Sequence, residues 1–92
     1  MDKNYKAAWR LSDDGIMLSA PFWWVAVINR SKKEEGKWWW KTTGDFKNTH
    51  VECGYVESFD DALSNVTESL KIGEKDFVYE ITNDPRSYLR FI

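Results

Sequence analysis

The run Lys37-Trp38-Trp39-Trp40-Lys41 is the part of this sequence whose residue types and spacing are best suited to binding. Side chains of a β-strand alternate between two faces, so Trp39 is expected on one face with Lys37 and Lys41, and Trp38 and Trp40 on the other. An aromatic ring between two cations can stack on a nucleic-acid base while the ammonium groups meet phosphates. The alternative is that Trp39 packs within the protein and the lysine stems lie along its ring.

Charge is divided unevenly along the chain, although the net charge is only −2. Residues 30–47 carry six basic and three acidic side chains, whereas residues 48–84 carry nine acidic and two basic ones. If the folded protein has oppositely charged poles, they would steer its association with charged partners. The alternative is that the charges intermix on an ordinary surface once the chain has folded. The candidate partner-binding residues are Lys37, Trp39, Lys41, Arg30, Lys47, Asp60 and Asp61.

The sequence offers no recognisable catalytic or metal-binding constellation. His50 is the only histidine and Cys53 the only cysteine, and a zinc site needs about four ligands, at least three of them from protein. Residues three apart on a strand face opposite ways, which argues against a Cys53–His50 nucleophile pair, so a surface histidine and a core cysteine are expected. Paired carboxylates at residues 13–14 and 60–61 fit a turn and a helix start. We therefore expect a non-enzyme without cofactor or metal.

Length and apolar content bound the class of protein. The 92 residues fit a single domain spanning 1–92. The longest apolar stretch, residues 20–28, is shorter than the roughly 20 residues that cross a bilayer. The N-terminus shows no secretory pattern and one cysteine rules out an intrachain disulfide, so a cytoplasmic protein without membrane contact is expected.

Periodicity predicts a sheet and one helix. Alternating residues and turn signals indicate strands near 5–12, 16–20, 22–29, 37–43, 49–55 and 77–81, with a turn at Asp13-Asp14-Gly15 and another at residues 44–48. A helix is expected at about residues 59–72, with Ser58 as N-cap and an apolar stripe formed by Phe59, Ala62, Leu63, Val66 and Leu70. Asp84 before Pro85 fits the cap of a short terminal helix, and the alternative is one more strand at residues 88–92.

These elements predict an α+β fold, an antiparallel sheet of four to six strands with the helix packed on one face. Trp38 and Trp40 are expected beneath the helix. The C-terminal tail is the only segment left to cover the opposite face, where Trp39 is expected.

In general character the chain resembles the small phage-encoded anti-defence proteins, anti-CRISPR proteins among them. The resemblance rests on short length, aromatic content, poles of charge and the lack of catalytic residues, not on a motif, and such proteins share no common fold. It implies a non-enzymatic inhibitor that binds a host protein or ribonucleoprotein complex in the bacterial cytoplasm and competes indirectly with nucleic acid. The alternatives are a single-stranded nucleic-acid-binding module and an immunity protein for a bacterial toxin. The oligomeric state stays open.

Overall fold

The computed structural model of this chain describes residues 3–43, 51–73 and 77–92. Its elements are, in chain order, strands β1 (Lys3–Ser12), β2 (Gly15–Ser19), β3 (Trp24–Arg30), β4 (Trp38–Thr43) and β5 (Val51–Val56), helix α1 (Phe59–Gly73), strand β6 (Phe77–Ile81) and a 3₁₀ helix (Pro85–Phe91). The expected α+β fold is confirmed. The turn predicted at residues 44–48, Lys47 and His50 lie outside the described residues.

The six strands form one sheet in the order β5-β4-β3-β2-β1-β6. Strands β1 to β5 are joined antiparallel to their neighbours, as expected for successive hairpins. Strand β6 instead pairs parallel with β1, with Tyr5 opposite Tyr79. The chain reaches that edge through α1, because a parallel pair requires a crossover and cannot be closed by a hairpin.

One face of the sheet forms the hydrophobic core beneath α1. Cross-strand register places Trp40 beside Ile28 and Trp38 beside Val56 on this face. Both indoles are buried, and the Trp38 ring meets Phe59 of α1 edge-on, with 5.5 Å between ring centroids. The prediction that Trp38 and Trp40 lie beneath the helix is therefore confirmed. We call this side of the sheet the helix face.

Helix α1 begins where the capping pattern predicts. The backbone N–H of Asp61 donates to the Ser58 hydroxyl oxygen at 3.1 Å, so the side chain of Ser58 satisfies one of the free donors of the first turn. Within residues 59–70 of the helix, the buried apolar side chains are Phe59, Ala62, Val66 and Leu70. Thr42 of β4 and Ser69 of α1 also share a buried hydrogen bond, and Ser69 donates to Glu52 of β5. Both polar and apolar contacts therefore hold the helix on the sheet.

The C-terminal tail covers the helix face, so the expectation that it might cover the opposite face is wrong. Asp84 caps the 3₁₀ helix by accepting a hydrogen bond from the Arg86 backbone N–H at 2.9 Å. Arg86 also pairs with Asp60 of α1 at 3.0 Å, which places the tail beside the helix. Apolar side chains of the tail complete the packing against the core, namely Tyr88, Leu89 and Ile92.

A β-bulge at the start of β3 decides which side Trp24 takes. Ala26 pairs with Leu18, but Ser19 pairs with Trp24, so Val25 is an additional residue in β3. Without the bulge, Trp24 would share the face of Ala26, two residues away; the extra residue turns it to the other side. Trp23 instead meets Tyr5 and donates its indole N–H to the Tyr79 hydroxyl at 3.0 Å. Trp23 and Trp24 therefore lie on opposite faces, as alternation predicts, although Trp23 precedes the strand.

Gly54 makes room for the Trp40 indole on the helix face. A Cβ atom at Gly54 would lie 3.0 Å from the Trp40 ring nitrogen and 3.3 Å from its Cε2 atom. These distances are tighter than ordinary van der Waals contact, and Trp40 is held between the sheet and α1. The small residue in β5 is thus required by the large one in β4.

We predict that Gly54→Ala lowers the free energy of unfolding by about 1–3 kcal/mol, the usual cost of overpacking a core. A decrease in stability is informative, because alanine in a strand otherwise stabilises the protein relative to glycine. Urea denaturation followed by circular dichroism measures the change in the free energy of unfolding. Cys53→Ser, at the adjacent exposed position, should leave the midpoint unchanged; an equal midpoint for Gly54→Ala would contradict the close packing of Trp40.

Candidate functional site

The face of the sheet opposite α1 carries the candidate site, and we call it the open face. Register places Trp39 of β4 directly between Asn29 of β3 and Tyr55 of β5. Two residues further along β4, Lys41 lies between Val27 of β3 and Cys53 of β5. Both helices of the described chain lie on the other side, so no described helix covers these residues. Tyr55 is 52% exposed, and Trp24 and Trp39 are half-buried.

Trp39 separates two hollows of the open face. The larger, about 440 Å³, has the rings of Trp39 and Tyr55 in its lining and is here called the outer groove. Its rim carries Lys32 and Lys33 from the β3–β4 connection and Asp13 and Asp14 from the β1–β2 turn. The smaller, about 310 Å³, is the inner groove, lined by Asp14, Met17, Trp24, Val27, Trp39 and Lys41. Trp39, Lys41 and Asp14 border both.

Trp39 and Lys41, two of the predicted site residues, do share the open face. The Lys41 ammonium group lies 5.7 Å from the centroid of the Trp24 ring, within reach of a cation–π contact. Lys41 is exposed and forms no ion pair with a carboxylate within the described part of the chain. This lysine can therefore contact a ligand while its stem rests on the aromatic surface.

Lys37 directly precedes β4, and two carboxylates already neutralise its charge. Its ammonium group contacts the Glu34 carboxylate at 3.1 Å and the Glu57 carboxylate at 3.4 Å. The hydrogen bond that Lys37 donates to the Glu34 carboxylate and then the negative charge of Glu34, with a further contribution from Glu57, raise the pKa of Lys37 above the ordinary lysine value. The predicted arrangement of Trp39 between two free cations is thus only half realised.

Arg30 lies on the helix face, away from Trp39. It is opposite Trp38 in the sheet, and its guanidinium carbon is 4.6 Å from the centroid of the Trp38 ring. Its Nε also donates to the carbonyl oxygen of Ile92 at 3.3 Å. These contacts give Arg30 a role in holding the tail on the core.

Asp60 and Asp61 occupy the first turn of α1, on the opposite side of the sheet from Trp39. Asp60 pairs with Arg86, and both aspartates suit the positive end of the helix dipole. The structure therefore brings Trp39 and Lys41 together and leaves Arg30, Asp60 and Asp61 on the other side. Lys37 lines neither groove and pairs with Glu34 and Glu57 instead. Lys47 is outside the described residues.

The open face also contains residues that sequence reasoning did not select. The position of Tyr55 on this face could have been predicted from alternation in β5. Four charged residues of the outer groove could not, because their positions depend on how two connections meet at one end of the sheet; these are Lys32, Lys33, Asp13 and Asp14. The expectation of a core cysteine is wrong: Cys53 is exposed, because its pairing with Lys41 puts it on the open face. Within residues 3–43, 51–73 and 77–92, no group of three or more His, Cys, Asp or Glu side chains is arranged to hold a metal ion.

Comparison with protein-family models, with curated proteins and with solved structures finds no match for this chain. In the part of the chain that the structure describes, no helix combines the length and apolar character needed to cross a membrane. The chemistry of the open face is therefore the guide to function.

The ion pairs of Lys37 predict a specific titration behaviour. Glu34→Gln removes the largest contribution, so the pKa of Lys37 should fall towards its ordinary value, as measured by the pH dependence of its ¹³Cε chemical shift. Because the folded-state pKa is raised, the ion pairs stabilise the fold below the ordinary lysine pKa, and this contribution is lost as pH rises through the folded value. Glu35→Gln, at an exposed neighbour, should change nothing. An unshifted Lys37 in the wild-type protein would contradict the pairing.

Proposed function

We propose that this protein binds another protein through its open face and thereby inhibits a nucleic-acid-processing defence complex of a bacterial host. The observation that carries the proposal is an accessible aromatic surface, Trp24, Trp39 and Tyr55, rimmed by charges of both signs. An aromatic centre inside a polar rim is typical of the energetic centre of a protein interface.

The aromatic residues supply apolar surface that a partner can bury. Fully burying one large apolar side chain gains about 1.5–3 kcal/mol, and a partly buried one gains less. Tyr55 retains 52% of its surface and the two indoles are half-buried, so a partner can cover about half of Tyr55 and a smaller part of each indole. Their backbones belong to a hydrogen-bonded sheet, which limits the conformational entropy lost on binding.

Charge favours a protein partner over a nucleic-acid strand. A strand presents negative charge along its whole length, and proteins that bind one usually provide a clearly basic path. Here Asp14 borders both grooves, Lys37 is neutralised by two glutamates, and Arg30 lies on the other face. A protein surface, which carries both signs of charge, complements this rim better.

The class of partner comes from the resemblance to small anti-defence proteins. In such proteins a binding surface on a compact scaffold blocks a nuclease or surveillance complex without chemistry of its own. The helix face here is filled by the chain's own helix and tail, so the scaffold does not need the partner to complete its core. The open face is then available to occlude a nucleic-acid path or a moving part.

The proposal predicts that the wild-type chain restores phage infection in bacteria protected by a nuclease-based defence system. Plaque counts should rise at least tenfold on expression. The double variant Trp39→Ala/Tyr55→Ala should lose this effect, because it removes the ring surface of the outer groove. Phe22→Ala is the matched control, since Phe22 is an exposed aromatic residue that lines neither groove, and it should retain the effect.

Affinity purification of the wild-type chain identifies the partner. Recovery of a nuclease or surveillance complex, lost with the double variant, supports the proposal. Recovery of a toxin alone would favour an immunity protein instead. Salt-sensitive quenching of tryptophan fluorescence by an oligonucleotide, with no protein recovered, would favour a single-strand binder. Equal plaque counts with and without the wild-type chain would contradict the inhibitory function.

A further inference from the structure

The lining of the outer groove includes exposed side chains of both charges. They are Lys32 and Lys33 from the β3–β4 connection and Asp13 and Asp14 from the β1–β2 turn. Across residues 5–43, 51–70 and 79–92, none of these four side chains forms an ion pair with another described residue. Nearby Lys37 differs, because two glutamates already neutralise it. The groove therefore presents unsatisfied charges beside an aromatic lining.

We infer that the outer groove receives an acidic segment of the partner protein, with an apolar side chain against Trp39 and Tyr55 and carboxylates against Lys32, Lys33 and Lys41. The inference rests on the proposed function, because it specifies the chemistry of the partner at the same surface. A groove of about 440 Å³ is in the size range that accommodates a few side chains.

Charge complementarity selects this occupant. The lining contains three ammonium groups, those of Lys32, Lys33 and Lys41, against the two carboxylates of Asp13 and Asp14. A peptide can present carboxylates to the lysines and uncharged side chains to the aspartates. An oligonucleotide placed across both grooves would bring phosphates near Asp14, which borders each of them. A strand carries a phosphate at every nucleotide and cannot keep its charge away from Asp14, whereas a peptide can place its carboxylates at the lysines alone, so the acidic peptide is the better fit.

The apolar contact and the charged contact have separate consequences. Contact with the rings contributes to affinity for any peptide that carries an aromatic residue, whatever its charge. The exposed lysines contribute selectivity, since charge pairs at a solvent-exposed rim add little energy each. Affinity for an acidic peptide should therefore exceed that for a neutral one of the same shape, and the excess should decline as salt is added.

The test uses the isolated, ¹⁵N-labelled protein and three synthetic peptides of equal length. Each peptide has a central phenylalanine, flanked by glutamates, by glutamines or by lysines; an oligothymidine is the fourth probe. Amide and indole chemical shifts are followed during titration. The glutamate peptide should bind roughly two- to tenfold more tightly than the glutamine peptide, as expected for one or two exposed ion pairs. The perturbed signals should map to residues 31–33, 39–41 and 53–55.

The double variant Lys32→Gln/Lys33→Gln should bring the glutamate peptide close to the affinity of the glutamine peptide. Lys6→Gln, a change at an exposed lysine of β1 outside the groove, should leave the preference intact. Equal binding of the three peptides, tighter binding of oligothymidine or shifts elsewhere would overturn the inference. These probes contain no host protein, so the result is independent of whether the chain inhibits a defence complex.

Discussion

The two-residue periodicity of strand β4 is the constraint on which the rest of the structure depends. Three consecutive tryptophans cannot point to the same side of a sheet, so burying Trp38 and Trp40 turns Trp39 to the opposite face. Truncating a buried tryptophan to alanine typically costs about 3–5 kcal/mol, so the register of β4 is strongly fixed by the core. The position of the candidate binding residue is a consequence of core packing.

The asymmetry of the layers follows from this arrangement. Helix α1 and the C-terminal tail both pack on the helix face, linked by the Asp60–Arg86 ion pair, and Arg30 joins the tail to the Trp38 ring. Several charged residues are therefore used within the fold on that side. On the open face, by contrast, Lys41 and the charges around the outer groove have no carboxylate or lysine partner among the described residues. The charges that join helix and tail and the charges that border the outer groove thus lie on different faces of the sheet.

Patterns within single elements were sufficient to predict most of the fold. The capping residue Ser58, the apolar stripe of α1 and alternation in β4 each depend on neighbours in sequence, and each is confirmed. Contacts between distant segments were not accessible in this way. The parallel pairing of β6 with β1, the tail on the helix face and the exposure of Cys53 depend on which strands become neighbours.

In the candidate site, too, local patterns were predictable and contacts between distant segments were not. Trp39 and Lys41 follow from strand periodicity, whereas the bulge at Val25 determines that Trp24, and not Trp23, joins them. Neutralisation of Lys37 requires Glu57 from the neighbouring strand, and no local pattern indicates that contact. The outer groove exists because the β1–β2 and β3–β4 connections meet at one end of the sheet.

Solvent accessibility of the six indoles tests the central claim most directly. In the protein labelled with 5-fluorotryptophan, a soluble gadolinium chelate broadens each ¹⁹F signal according to the exposure of that ring. The two-faced arrangement predicts weak broadening for Trp9, Trp38 and Trp40, which are buried, and stronger broadening for Trp23, Trp24 and Trp39, which are half-buried. Broadening of Trp38 or Trp40 as strong as that of Trp39 would contradict the division of the tryptophan run between core and binding surface.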